Sequence, residues 1–426
     1  MPKTSAHLLE DRLALRPASP RLSLSGLVRL LVVFYLLVFA VALFVRPAAA
    51  QPAPAGFSAF VDQLWPDAEA RGVSRQTFEA AFAGVTPDPS LLKKTHAQNE
   101  FTRTAGDYLT AAVNAARVAE GRRMAARWGD ALEEIERRTG VDRWVTLGVW
   151  GMESNFGKSM GGQNVIRSLA TLAAARHRGD LFRDELLDAL LILEQGHVAP
   201  REMIGSWAGA MGQTQFMPSS FLKDAVDFDG DGRKDIWGSV PDALASTAQF
   251  LKNHGWQAGI VWGAEVVLPE NFEVKAADHA AFRPIAEWAR RGVTRADGSA
   301  LPSRGEARLT LPMGLAGPAF LRTPNFEVIR DYNTSTSYAL AVSMLGDRAA
   351  GRAPSPLPWP KEKALTAAQS LDLQKSLARQ GYEVAKFDGK IGDKDRATIA
   401  LWQERNGLVP DGHPTPALVA RIHAAR

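Results

Sequence analysis

Apolar residues recur at helical spacing through the first part of the chain, and the texture changes further on. Leu109, Val113 and Ala116, then Trp128, Leu132 and Ile135, follow a 3.6-residue period. Leu181, Glu185, Ala189 and Leu193 repeat it, with Leu186 and Leu190 alongside. The pattern predicts helices from Phe57 to about Phe250. One stretch is apolar nearly all round: Trp144, Val145, Leu147, Val149, Trp150 and Met152. Such a helix is buried. Asp142 stands where an N-cap belongs, so a buried helix is predicted from Arg143 to about Ser154, with Glu153 at its end.

Between Gly255 and Tyr332 short runs replace the long periods. Glu265 to Leu268, Arg308 to Leu311 and Phe326 to Ile329 read as strands, and Tyr338 to Leu345 as a helix. Gly346, Gly351, Pro354, Pro356, Pro358 and Pro360 then mark an interdomain linker, placed at 351–364 and partly stiffened by proline. The tail, 365–426, is too small for a second enzyme core and adequate for a binding module. No long repeat is evident. The expected fold is mainly α (α+β): a helical body over 51–350 with a small β-containing subdomain, then a separate tail.

The first 50 residues have a different character. A basic stretch ending at Arg29 precedes the apolar run Leu30 to Val45, and Ala48 and Ala50 suit a small-residue cleavage site. This is the layout of a secretory signal peptide. The run is short of the about 20 residues of a spanning helix. The alternative is an uncleaved anchor that attaches the protein to the inner membrane. Either way the body is expected in the periplasm. Lys3, Arg12, Arg16, Arg21, Arg29 and Arg46 against Glu10 and Asp11 account for the whole formal charge of +4, so the rest of the chain is neutral. That argues against a basic nucleic-acid surface. The chain has no cysteine, which excludes a disulfide scaffold, a thiol nucleophile and a cysteine zinc site.

Four segments carry candidate chemistry. The first is Gly148 to Gly157, GVWGMESNFG, with Glu153 at the end of the apolar helix. A carboxyl there loses hydration when ionised and holds its proton more tightly, as a general acid requires. The plain alternative is a Glu that pairs with an arginine or caps a loop. The second is Ser206 to Ser220, SWAGAMGQTQFMPSS, a small-residue loop that backbone or ligand can approach closely. Gln215 in it offers a donor and an acceptor, although a Gly/Ala loop is by itself more often a turn. The third is Asp227-Phe228-Asp229-Gly230-Asp231-Gly232-Arg233. Acidic residues at relative positions 1, 3 and 5 with glycine at 6 fit an EF-hand calcium loop, the Arg233 carbonyl taking position 7. Position 12 is Gly238, and Asp242 further on can supply the distant carboxylate. An acidic surface turn is the alternative. The fourth is Asp331 to Tyr338, DYNTSTSY, whose aromatic faces and amides suit a sugar ring, or equally a polar helix start.

Taken together and in this order, the four segments resemble the membrane-bound lytic murein transglycosylase B family over about Phe57 to Leu345. The resemblance implies a lysozyme-like catalytic domain with an EF-hand-like loop. It also implies Glu153 as the catalytic residue, and Ser206, Gln215, Tyr332, Asn333 and Tyr338 as sugar contacts. Calcium, with no organic cofactor, is implied on Asp227, Asp229, Asp231, the Arg233 carbonyl and Asp242. Two departures stand out: an extra residue before Asp242, and Gln213-Thr214 where the family often has Tyr-Gly. The tail resembles the type 1 peptidoglycan-binding domain through Leu373 to Leu377, Gly381-Tyr382, Phe387 to Gly392, Ala400 to Gln403 and Asn406 to Leu408. That implies a three-helix unit, the alternative being a structural cap without a ligand.

The implied reaction cleaves the β-1,4 bond between N-acetylmuramic acid and N-acetylglucosamine in peptidoglycan and closes a 1,6-anhydromuramoyl end. The rivals are a hydrolase of lysozyme type and a non-catalytic wall-binding scaffold. The expected partner is the glycan strand, with no nucleic acid. Cell-wall synthases are partners the residues do not address.

Overall fold

Short polar caps punctuate the helical body. Ser74, Thr104, Asn114, Asp142 and Asn164 each accept a backbone N–H from the first turn of the helix they precede. The computed structural model describes residues 56–94 and 103–425. The expected export segment, 1–50, lies outside the described residues.

The body begins with α1 (Phe57–Ala70), α2 (Arg75–Phe82), α3 (Ser90–Lys94), α4 (Ala105–Ala112), α5 (Ala115–Arg127) and α6 (Gly129–Thr139). The period through Leu109, Val113 and Ala116 is broken at Val113, because Asn114 caps a new helix there. Next come α7 (Arg143–Ser154), β1 (Gln163–Asn164), α8 (Val165–Ala174), α9 (Leu181–Glu194), β2 (Ile204–Gly205), α10 (Pro218–Asp224) and α11 (Val240–Asn253). Val145, Leu147, Val149 and Trp150 of α7 are buried, while Trp144 and Met152 of the same apolar pattern are half-buried.

The subdomain holds β3 (Gly263–Val267), α12 (Ala276–Ala280), β4 (Arg283–Pro284), α13 (Ile285–Arg290), β5 (Thr294–Arg295), β6 (Glu306–Thr310), β7 (Pro312–Leu315) and β8 (Ala319–Arg322). Five of these strands form an antiparallel sheet in the order β4-β6-β8-β3-β5. The run Phe326 to Ile329 is not a strand. It lies in α14 (Pro324–Tyr332), where Pro324 opens the helix and Asn325, Phe326, Val328 and Ile329 share the buried face. Asn325 stands three and four residues from Val328 and Ile329, and Phe326 three from Ile329, so helical spacing overrides the β-branched composition.

The final body helix, α15 (Thr336–Ala349), packs against α7 through glycines. A side chain at Gly148 would come within 2.3 Å of the Val342 carbonyl oxygen, and one at Gly346 within 2.3 Å of that of Trp144. Glycine at these two contacts lets the two backbones touch.

The tail forms three helices, α16 (Ala367–Arg379), α17 (Asp393–Arg405) and α18 (Pro416–Ala424), around Leu373, Leu377, Ile399, Trp402, Leu418, Val419 and Ile422. Two buried glutamines shape its loops. Gln374 accepts from Gly389 N (2.9 Å) and donates to the Lys390 carbonyl (3.1 Å), while Gln403 accepts from Gly412 N (2.8 Å). The motif glutamines thus have structural work.

The proline segment does not hold the tail away. Trp359 fills the space over Gly106 and stacks on Phe320, and Ser355 N donates to Glu265 (2.8 Å). The tail itself docks on the subdomain: Ala276 N donates to Glu404 (3.1 Å), and the His279 ring meets the Pro410 carbonyl (2.9 Å). Proline composition sets a segment's stiffness, but whether it bridges a gap or lies on a surface depends on aromatic anchors such as Trp359.

Candidate active site and acidic loop

α7 ends one residue after Glu153. Asn155, Phe156 and Gly157 then take φ of 50°, 60° and 79°. Two non-glycine residues in the left-handed region carry a strain that the surroundings must hold. Ser154 is fully buried; its hydroxyl donates to the Trp150 carbonyl (3.2 Å) and accepts from Gly157 N (3.0 Å). Phe156 sets its ring edge-on to Trp150 (5.4 Å, 86°) in the space that Gly151 leaves open. The turn leaves Glu153 half-buried at the helix end.

Tyr338 reaches Glu153 from α15. Ser335 caps that helix by accepting from Tyr338 N (3.3 Å), and the Tyr338 hydroxyl donates to Glu153 Oε1. Burial first, and then the negative charge of Glu153, push the Tyr338 phenol well above its ordinary range. It therefore stays protonated and acts as a donor. Tyr332 is shifted the same way for the same two causes, and its hydroxyl donates to the Thr214 carbonyl (2.7 Å). Its ring lies against Phe216 and Phe250.

The small-residue loop is a tight, internally bonded turn. Ser206 N donates to the Ala210 carbonyl (2.7 Å), and Ser206 Oγ accepts from Ala210 N (3.1 Å). A side chain at Gly209, at φ 92°, would fall within 2.4 Å of Leu169. Gln215 adopts φ 53°, and its Nε2 donates to the carbonyls of Met160 (3.0 Å) and Gly212 (2.9 Å). Both amide hydrogens of Gln215 are thus committed within the protein. Asn333 accepts from Ser335 N (3.1 Å), which shapes the start of α15.

Gln213 was legible only as a departure from the family pattern. It is buried and bridges two tryptophans: it accepts from Trp150 Nε1 (2.9 Å) and donates to the Trp237 carbonyl (3.1 Å). It thereby ties the glycine loop to α7. Glu120 is a second residue that sequence reasoning missed, because it lies on another helix. It is buried, paired with Lys158 (2.8 Å) and Arg123, and lines a groove of about 350 Å³ with Asn114, Arg117, Asn155 and Lys158. The Lys158 hydrogen bond above all lowers the Glu120 carboxyl below its usual range.

The acidic loop folds on its own carboxylates. Asp227 accepts from Gly230 N (2.7 Å) and Gly232 N (2.8 Å). Asp235 accepts from Trp237 N (2.9 Å) and Gly238 N (2.7 Å), so a turn stands where position 12 falls. The chain then enters α11, whose Asp242 is fully buried and accepts from Phe228 N and Asp235 N (both 2.9 Å). Ligand atoms of Asp227, Asp229 and Asp242 lie within 4.8 Å of one another. Asp231 stands outside this cluster. It accepts from Arg233 N (2.8 Å) and faces the Arg233 guanidinium (3.4 Å). Burial raises the Asp242 carboxyl, and the neighbouring Asp229 adds to the rise.

Comparison with known proteins bears on these features. The transglycosylase SLT domain family matches residues 56–347, and a peptidoglycan binding domain matches 366–422. Membrane-bound lytic murein transglycosylase B of Escherichia coli K12 is 36% identical over 231 residues, 53% of this chain and 61% of that protein. The alignment thus spans less than two thirds of the relative's length. SltB3 of Pseudomonas aeruginosa, solved in complex with NAG-anhNAM-pentapeptide, is 45% identical with a TM-score of 0.80, covering 87% of this chain and 100% of that one. Escherichia coli SLT35, solved in complex with calcium, is 30% identical with a TM-score of 0.56, covering 69% and 92%. The chain belongs to the transglycosylase SLT domain family and adds to it a C-terminal peptidoglycan binding domain.

Proposed function

We propose that the protein is a lytic transglycosylase that cleaves peptidoglycan glycan strands with Glu153 as its single acid and base. The observation that carries this is the pairing of Glu153 with Tyr338: a half-buried carboxyl oriented by a phenol that remains a donor. Protonated Glu153 gives its proton to the glycosidic oxygen, and the bond to C1 of the muramoyl sugar breaks. The carboxylate then takes the proton of the C6 hydroxyl as that oxygen bonds to C1. Attack within the ring closes the 1,6-anhydro end and returns the acid to its starting state. An internal nucleophile gains from proximity and makes a second catalytic carboxylate unnecessary. Of the other buried carboxylates in the body, Glu120 is ion-paired with Lys158 (2.8 Å), and Asp224 accepts from Asn253 through Oδ1 (2.7 Å) while its Oδ2 is unpartnered among the described residues. SltB3, the relative solved with an anhydro-sugar peptide, supports the reading.

Ser206, Gln215, Tyr332 and Asn333 would shape the sugar site, Ser206 and Gln215 chiefly by holding the loop. Asp227, Asp229 and Asp242 would hold a calcium ion, with Asp231 and the Arg233 carbonyl joining on a rearrangement of the exposed loop. The fit rests on Asp242, a buried carboxylate close to two others. The ion supplies counter-charge that fixes the loop before α11, and every proton transfer stays with Glu153. Export to the periplasm by the N-terminal segment and tethering to the wall by the tail complete the reading.

The test is a digest of purified sacculi with mass analysis of the released muropeptides. Anhydro ends, lighter by one water and resistant to borohydride, are expected. A digest dominated by reducible ends makes the protein a hydrolase.

A further inference from the structure

Asp393 opens α17 in the tail, yet its carboxylate is spent on the body. Oδ2 accepts from Arg322 (2.9 Å) and Arg330 (3.1 Å), with Arg308 at 3.6 Å, and Oδ1 accepts from the Thr336 hydroxyl (3.0 Å). Arg322 is almost wholly buried, with two guanidinium nitrogens unpartnered. Arg330 and Thr336 bracket one short segment. Arg330 also donates to the Thr334 carbonyl (3.1 Å), and Thr336 is the first residue of α15. Between and just beyond them stand Tyr332, Asn333 and Tyr338. One carboxylate from the tail therefore clamps both ends of the segment that presents Tyr338 to Glu153.

We infer that Asp393 is a positioning residue for the active site, so that docking of the tail holds the Tyr332–Tyr338 segment in its working geometry. The inference rests on the proposed role of Glu153. It assigns the tail a second task beside wall binding: the docked tail is part of what keeps the acid oriented. A wider body–tail interface could dock the domain without touching this segment, and contacts at Glu404 and His279 do so. The Asp393 contacts differ because they end two residues from Tyr332 and two from Tyr338.

Four full-length variants test this on a soluble glycan fragment too short to reach the tail. Asp393→Ala is expected to lower kcat by about ten- to a hundredfold, the scale of an ångström misplacement of catalytic groups, with KM little changed. Thr336→Val, which removes one clamp contact from the body side, lowers kcat less. The double variant is no worse than Asp393→Ala alone, because the two share one interaction. Glu404→Ala loosens the interface elsewhere and keeps wild-type kcat. Hydrogen exchange gives a readout independent of turnover: amides of residues 333–338 exchange faster in Asp393→Ala and not in Glu404→Ala. Wild-type kcat and exchange in Asp393→Ala, an equal loss in Glu404→Ala, or additive losses in the double variant would overturn the inference. Where Asp393→Ala does not fold, Thr336→Val against Glu404→Ala decides by the same readouts. An inactive wild type would instead defeat the transglycosylase reading and leave the exchange result standing.

Discussion

The hydroxyl of Tyr338 on α15 donates to the carboxylate of Glu153 on α7, across a helix pair whose backbones touch at Gly148 and Gly346. The family resemblance made Tyr338 a sugar contact; here its polar end is turned to the acid. The two roles separate in kinetics. Tyr338→Phe removes a hydrogen bond to a charged group, worth about 1.5–3 kcal/mol, so kcat falls by about ten- to a hundredfold. KM is expected to stay within a factor of a few. A variant with raised KM and wild-type kcat restores Tyr338 to the sugar.

Glu153→Gln keeps the shape of the side chain and its bond from Tyr338 while removing the transferable proton. Proton transfer by a placed side chain contributes typically about 10²–10⁴-fold. Lysis of sacculi should disappear while the melting temperature stays near wild type. A well-folded variant that still lyses sacculi removes Glu153 from the mechanism.

Gly148→Ala tests whether the helix contact matters to chemistry as well as stability. The added methyl would lie 2.3 Å from the Val342 carbonyl oxygen, so the helices must part. Overpacking of this kind costs about 1–3 kcal/mol, read as a lower melting temperature. Because Tyr338 rides on the displaced helix, kcat is expected to fall more than stability alone explains at a temperature where the variant is folded. Unchanged kcat in the folded variant would uncouple the helix contact from the acid.

Local signals made the centre of this site legible, and long-range ones hid its frame. The apolar ring around α7, the Asp142 cap and the carboxyl at 153 all lie within one short stretch, so periodicity finds them. Asp242 was reachable because an EF-hand-like spacing calls for a distant carboxylate. Gln213 was not, because its job depends on the indole of Trp150, 63 residues away. Glu120 sits on a separate helix, and the Asp393 clamp on a separate domain. The run Phe326 to Ile329 misled because four apolar-rich residues fit either period, and Pro324 was the cue that favoured a helix. Asp231 matched the loop pattern by spacing, while its carboxylate follows the nearer Arg233.

Calcium should stabilise the protein through the acidic loop, and the effect should depend on pH in a defined direction. An ion bound only by the native state adds about 2.7 kcal/mol at a concentration one hundred times its dissociation constant. Burial raises the Asp242 carboxyl above its ordinary value. With no ion bound, the folded state therefore holds this proton to higher pH than the unfolded chain does. Stability from Asp242 is then greatest at acid pH and declines as pH rises through the raised value, because the unfolded state releases its proton first. Calcium needs the ionised carboxylate and so reverses the preference. The rise in melting temperature between chelator and added calcium is expected to be large near neutral pH and to shrink as the pH falls toward the carboxylate range. Asp242→Asn should abolish the calcium response at both pH values, since the buried amide offers no charge. Asp231→Asn should reduce it less, because Asp231 stands outside the cluster. Melting curves that coincide with and without calcium at neutral pH would leave the loop as an acidic turn held by its own backbone bonds.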